Sequence, residues 1–264
     1  MNELGDLPPL VRAPRSGIRR RGVEGRVEQQ PGFVLHSYPW RETSLIVELL
    51  TRDYGRVAVV ARGAKRPTSQ FRGLLAPFAP LLVSWSGRND VKSLIRAEWC
   101  GGLAPLRGEG LFAAFYVNEL IVRLLARADP HEALFASYVE ALRALAQGRS
   151  DEETALRGFE MDLLREIGWL PALDHAADGA PIEAEAWYRV DAERGLIRIE
   201  RRVEDAATAT VNVRGRTAMA MATRDLAPEE IAAESKAMLR FLIRYHLGSQ
   251  PLNTRRILQD LKRL

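Results

Sequence analysis

From Pro31 to Trp99 apolar and polar residues alternate with a period of two; beyond Gly101-Gly102 and Pro105 the period lengthens to 3.6. A strand sends successive side chains to opposite faces, whereas a helix brings residues three and four apart onto one face. The chain is thereby limited to a β segment followed by a helical one, an α+β class rather than repeated βαβ units. Five strands are expected, at Phe33–Tyr38, Leu45–Leu50, Arg56–Arg62, Leu81–Trp85 and Val91–Trp99, with turns at Tyr54-Gly55 and Gly87–Asp90. One longer connection, Gly63–Pro80, interrupts them. That count fits a small closed barrel of the oligonucleotide-binding (OB) type.

The helical segment reads as apolar faces. Leu111, Phe112, Phe115, Leu120 and Leu124 form the first, ending near Asp129-Pro130; Leu134, Phe135, Tyr138, Leu142 and Leu145 form the second. Ser150 with Glu153 three residues on has the form of a capping box, opening a helix that Gly168 stops. Residues 170–200 are irregular, with a hairpin where 187–190 and 196–199 flank Glu193-Arg194-Gly195. Pro228 opens a fourth long helix ending at Gly248, and a short one runs from about Asn253 to the end. The expected organisation is a disordered basic tail at 1–25, a nucleic-acid-binding barrel at 26–103 and a helical domain at 104–264.

Charge divides the chain as sharply as periodicity does. No Asp or Glu occurs in the 36 positions between Asp53 and Asp90, a window that holds Arg56, Arg62, Lys65, Arg66, Arg72 and Arg88; Lys92 and Arg96 follow. Residues 1–100 carry 16 Lys and Arg against 9 Asp and Glu, so the net charge of +4 conceals a basic front and a slightly acidic remainder. Cations without nearby carboxylates concentrate positive potential and suit a polyanion. Strand parity places Arg56 and Arg62 on one face of the third strand, opposite Val57, Val59 and Ala61. In the fifth strand it sets Lys92, Leu94 and Arg96 against Val91, Ile95 and Trp99. The candidate nucleic-acid-binding residues are these eight cations. Tyr38, Trp40, Tyr54, Phe71 and Trp85 are either stacking platforms or barrel core. Six cations on single-stranded phosphates would give a salt dependence of log K with a slope of about −4.

Catalytic and metal motifs fail on spacing. His131-Glu132-Ala133-Leu134-Phe135 lacks the second histidine of a zinc-protease helix. Gly108-Glu109-Gly110-Leu111-Phe112-Ala113 follows a Pro-containing loop rather than the strand a dinucleotide fingerprint needs. Gly63-Ala64-Lys65 lacks the earlier glycine of a phosphate-binding loop. Asp174, His175 and Asp178 read as a hydrated loop, and Glu152-Glu153 and Glu229-Glu230 as first-turn charges favoured by the helix dipole. A single cysteine, Cys100, excludes an internal disulfide and a zinc site built from several thiolates. The first 25 residues, with Pro8, Pro9, Pro14 and Arg19-Arg20-Arg21, have no apolar centre like that of a secretory signal. No apolar run reaches membrane-spanning length. A cytoplasmic protein with neither catalytic residues nor a metal is expected.

The segments Phe33–Ser44, Gly55-Arg56-Val57, Ala61–Lys65, Leu75–Leu81 and Val91–Leu94 resemble the RecO family of bacterial recombination mediators. Tyr116–Leu120, Leu156–Glu160, Tyr245–Gly248 and Pro251-Leu252 with Arg255 continue the match. The similarity spans about Arg26 to Arg256. It implies an OB domain, a helical domain and no enzymatic turnover. It also implies binding to single- and double-stranded DNA, annealing of complementary strands, and action with RecR to help RecA replace the single-strand-binding protein SSB. The SSB C-terminal tail is expected on the helical domain, and no membrane is involved. Many members carry a four-cysteine zinc site after the third long helix; Leu170–His175 stands there in this chain, so zinc is expected to be absent. Two other readings fit the residues alone: an RNA-binding OB protein, and a docking scaffold whose basic barrel is incidental.

Overall fold

A computed structural model describes residues 25–148, 152–202, 210–250 and 252–254. The expected basic tail, apart from Gly25, lies outside them, as do Ser150 of the capping box and most of the expected final helix. The elements run β1 (Arg26–Trp40), β2 (Ser44–Thr51), β3 (Gly55–Ala61), β4 (Pro80–Ser86) and β5 (Val91–Trp99), then α1 (Gly108–Leu124), α2 (Glu132–Gln147) and α3 (Glu152–Glu166). They continue with β6 (Trp187–Asp191), β7 (Gly195–Ile199), β8 (Asn212–Arg214), α4 (Gly215–Thr223) and α5 (Glu229–Leu247).

The first five strands close into a barrel in the order β1-β2-β3-β5-β4, as the strand count suggested. Closure depends on the length of β1. Its first half pairs with β4, from Arg26↔Ser86 to Phe33↔Pro80. Its second half pairs with β2, from Gly32↔Thr51 to Trp40↔Ser44. At the crossing point Gly32 is required, because a Cβ there would lie 2.9 Å from the Leu50 carbonyl oxygen. The strand is longer than the period-two pattern indicated, since the β4-pairing half, Arg26–Gln30, is polar and mostly exposed. Inside the barrel Val34, Val47, Leu49, Val57, Val59, Leu81, Val83 and Trp85 form the core.

The register shifts at three places in the barrel; one, between Val27 and Gln30, lies where β1 pairs with β4, and the other two reset which residues face outward. In β1 the register shifts between Val34 and His36, so Leu35 has no partner on β2. In β5 the register shifts where Ser84 pairs with Arg96 and Trp85 with Leu94, leaving Ile95 as the extra residue. The simple alternation expected for β5 is therefore overturned: Leu94 and Ala97 enter the core, while Val91 is 38% and Trp99 65% exposed. A bulge adds one residue to one strand and reverses the parity beyond it, so Lys92 and Arg96 do not share a face.

Helices α1 and α2 pack on the outside of the barrel through a buried polar joint. The bulge frees the Leu35 carbonyl, and Asn118 Nδ2 donates to it at 2.9 Å. Tyr138 of α2 in turn donates its hydroxyl to Asn118 Oδ1 at 2.7 Å, and its ring lies 5.2 Å from that of Phe33. The switch of period near residue 103 is a boundary of secondary structure. The compact units part later: one holds the barrel, α1, α2 and the chain from Leu252, and the other runs from Ser150 to Pro251.

In the second unit α3 and α5 pack together, and a small antiparallel sheet has the order β7-β6-β8. Helix α4 was not apparent in the sequence. Its N-terminus is held by Glu234 of α5, which accepts from the Arg214 backbone N–H at 2.8 Å and from the Thr217 hydroxyl. The irregular segment after α3 is organised by backbone hydrogen bonds, Ala176 to Ala180, Ala177 to Leu196 and Ile182 to Asp174, over buried Leu173 and Ala176.

A candidate nucleic-acid interface on the barrel

Register fixes what lies on the outer surface of β1, β2 and β3. His36, Glu48 and Ala58 form one row; Tyr38, Ile46 and Val60 the next; Trp40, Ser44 and Arg62, which follows β3, the last. The α1–α2 loop closes one end of this face. Glu48, 1% exposed, pairs there with Arg56 at 3.5 Å and accepts a hydrogen bond from Arg127, while the Ala128 N–H donates to the Arg56 carbonyl at 2.8 Å. Burial lowers the Arg56 pKa despite Glu48, whereas the hydrogen bond to Glu48 raises that of Arg127. Gly55 admits the loop: it has φ +62°, and any side chain there would strike the Asp129 carbonyl.

The other end of the face is open. The β1–β2 turn and the loop after β3 enclose a cleft of about 640 Å³, lined by Trp40, Arg41, Glu42, Thr43, Ser44, Val60, Arg62, Gly63 and Arg66. Its walls are pinned together by the Lys65 N–H donating to the Thr43 carbonyl at 2.9 Å. Trp40 is 46% exposed, and the Arg41 guanidinium sits 6.0 Å from its ring centroid. The loop beyond is a chain of tight turns, with N–H to C=O links Arg66 to Gly63, Ser69 to Arg66 and Arg72 to Ser69. Ala64 and Phe71 anchor it in the barrel core. Because the inward positions are apolar, the cations between them are driven outward.

The eight expected cations fall into three groups. Arg62, Lys65, Arg66 and Arg72 are exposed together on this loop; like Arg41, they make no ion pair with the described residues. Arg88 and Lys92 lie at the β4–β5 turn, and the parallel register Ala58↔Val91 sets that turn beside the Gly55 end of β3. At 3.3 Å per residue that end is about 20 Å along the barrel from Arg62; Lys92, opposite Val59, is about 10 Å along it. Arg56 and Arg96 are engaged in ion pairs, the latter with Glu98 at 2.5 Å.

Of the aromatic candidates, Phe71 and Trp85 are core, while Tyr38, Trp40 and Tyr54 are 40–46% exposed. Tyr54 packs edge-on against Trp85 at 5.3 Å. Arg41 escaped the sequence reading because Glu42 stands next to it; it lies outside the acid-free window yet lines the same cleft. Among the described residues no three His, Cys, Asp or Glu side chains gather as metal ligands, and no helix is long and apolar enough to cross a membrane. Burial and Glu98 push the Cys100 thiol up to about 11, so it stays protonated at neutral pH.

The sequence model of the family described as recombination protein O N terminal matches residues 26–103, and that of recombination protein O C terminal matches residues 106–256. This chain belongs to the RecO family. Among its relatives is the DNA repair protein RecO of Ralstonia nicotianae, 49% identical over 252 residues, which cover 96% of this chain and 91% of that one. The DNA repair protein RecO of Aromatoleum aromaticum is 48% identical over 240 residues, 90% of this chain and 98% of that one. That of Dechloromonas aromatica is 45% identical over 244 residues, covering 92% and 99%. Membership in the RecO family places the chain in DNA repair, and the family's N-terminal region is the barrel that carries the cleft.

Proposed function

We propose that this protein is a DNA-binding recombination mediator that anneals complementary strands and, with RecR, helps load RecA onto single-stranded DNA coated with SSB. One observation carries the DNA-binding part: Arg41, Arg62 and Arg66 line one cleft and Lys65 and Arg72 are exposed on the loop that forms one of its walls, with Glu42 the single carboxylate in the two segments that bear them. Guanidinium and ammonium groups on a loop meet phosphates and release counterions without reading sequence. That is what annealing requires, because the two strands must stop repelling each other while their base edges remain free. Arg88 and Lys92 offer a second phosphate contact on single- or double-stranded DNA, while Arg56 and Arg96 support the barrel by holding Glu48 and Glu98. The partners SSB, through its C-terminal tail on the helical domain, RecR and, indirectly, RecA follow from family resemblance, as does a cytoplasmic, nucleoid-associated location. The protein works by binding, without catalytic turnover, cofactor or zinc.

The test is a salt titration of oligo-dT binding. Five loop cations each meeting one phosphate give a log–log slope of about −3.5, and Arg62→Ala, Lys65→Ala and Arg66→Ala together reduce it to about −1.4. The same triple variant should lose annealing of SSB-coated complementary strands. An unchanged slope would remove this loop from the DNA path. Equal binding of matched DNA and RNA oligomers would favour a general OB reader instead, and no retention of oligo-dT at low salt would favour a docking scaffold.

A further inference from the structure

The cleft differs from a merely cationic surface in having an aromatic wall. Trp40 and Tyr38 stand two residues apart on the outward side of β1, both more than 40% exposed, and pair across to Ser44 and Ile46 of β2. These partners are small or aliphatic; the Tyr38 ring packs edge-on with that of His36 at 4.4 Å, and the Arg41 guanidinium lies 6.0 Å from the Trp40 ring centroid. At 3.2–3.4 Å per residue, such side chains are spaced about 6.6 Å apart. That is about twice the 3.4 Å rise between stacked bases of one strand. A duplex reaches this spacing only by unstacking a base step, at a cost of a few kcal/mol, whereas an unstacked single strand adopts it without breaking base pairs. Arg62 lies across the sheet from Trp40, beyond Ser44, and Arg66 and Arg41 complete the rim. A phosphate on either side of a base seated on Trp40 would therefore meet a guanidinium. A cleft of about 640 Å³ lies within the roughly 300–1,000 Å³ that holds a small ligand.

We infer that this cleft is a nucleotide subsite selective for single strands, in which one unstacked base lies on the indole of Trp40, the next reaches Tyr38, and Arg41, Arg62 and Arg66 hold the intervening phosphates. Stacking uses the face of a base and leaves its pairing edge exposed, so a strand held here stays competent to pair. The inference deepens the DNA-binding proposal and rests on it. Phosphate contact supplies affinity for any DNA, and Trp40 supplies the preference for strands whose bases are free.

The experiment separates the two contributions with three probes of equal length: oligo-dT, a phosphodiester chain of abasic units, and a duplex. The full-length wild type should bind oligo-dT about tenfold more tightly than the abasic chain, the scale of one base stacked on an aromatic ring. Trp40→Ala should abolish that gap while leaving the abasic chain, the duplex and the salt slope as in wild type. Trp40→Phe should keep most of it. Because Trp40 is half exposed at a strand end, its truncation removes little buried area, and unchanged duplex binding also reports an intact fold. A gap that persists in Trp40→Ala, or no gap in the wild type, overturns the subsite. Failure of the wild type to bind the abasic chain and the duplex at all would instead overturn the phosphate-binding proposal.

Discussion

The joint between barrel and helices makes a quantitative prediction, because three buried polar groups depend on one side chain. Asn118 is 3% exposed and Tyr138 fully buried; the amide donates to the Leu35 carbonyl and accepts from the Tyr138 hydroxyl. Burial raises the Tyr138 pKa above the usual phenol value, so the hydroxyl is protonated and a donor at neutral pH. A buried polar group left unpaired costs about 1–3 kcal/mol. Asn118→Leu keeps the volume but removes the hydrogen bonds that Asn118 makes to both the hydroxyl and the carbonyl, for a loss of about 3 kcal/mol at 1.5 each. Tyr138→Phe preserves the ring contact with Phe33 and strands only the amide oxygen, a loss of about 1.5 kcal/mol. In the double variant only the carbonyl remains unpaired, so the loss returns to about 1.5 kcal/mol, well below the sum of the single losses. Urea titrations of the full-length protein, read as midpoint shifts at constant m, give the coupling energy directly, and about 3 kcal/mol is expected. Additive losses near 4.5 kcal/mol would show that the bulge, the amide and the hydroxyl do not act as one unit.

Two further outcomes follow from single sites. Gly55→Ala should destabilise by about 3 kcal/mol or more, since it combines an unfavourable positive φ with a collision against the Asp129 carbonyl; a melting temperature within a degree or so of wild type would show that the α1–α2 loop is free to retreat. In the second unit Lys236 hydrogen-bonds to Glu153 and holds its carboxyl below the ordinary value of 4.5. A folded pKa below the unfolded one stabilises above the unfolded pKa and ceases to do so as pH falls through the folded pKa. Thermal melts of wild type should therefore lose more stability below pH about 4.5 than those of Glu153→Gln, and parallel pH profiles would contradict the pairing.

Much of the barrel was legible in the chain itself. Val47, Leu49, Val57 and Val59 alternate with outward residues because β2 and β3 each have one face on the core, and that local rule needs no knowledge of partners. The terminating glycines are local too: Gly168 and Gly248 end α3 and α5 at positive φ, where a residue without Cβ fits at no cost. The basic loop was equally plain, for charge composition survives any folding.

What the alternation did not reveal is where it breaks. The bulges at Leu35 and Ile95 arise from closing a five-stranded barrel. The one at Ile95 puts Leu94 and Ala97, which strict alternation would set on opposite faces, into the same core, while Trp99 is exposed at the strand end although it pairs with buried Leu81. Helix α4 depends on Glu234, some twenty positions away in sequence. Pairing over such distances also decided the fate of the cations. Sequence alone set Arg56 beside Arg62 on one face, and they do share it. Only the packed structure buries Glu48 between Arg56 and Arg127 under the α1–α2 loop and leaves Arg62 open beside Trp40. The chain thus determined its strands, its helices and the sign of its charge. Tertiary packing decided which charges meet solvent, because ion pairing and burial depend on residues that meet only when the barrel closes.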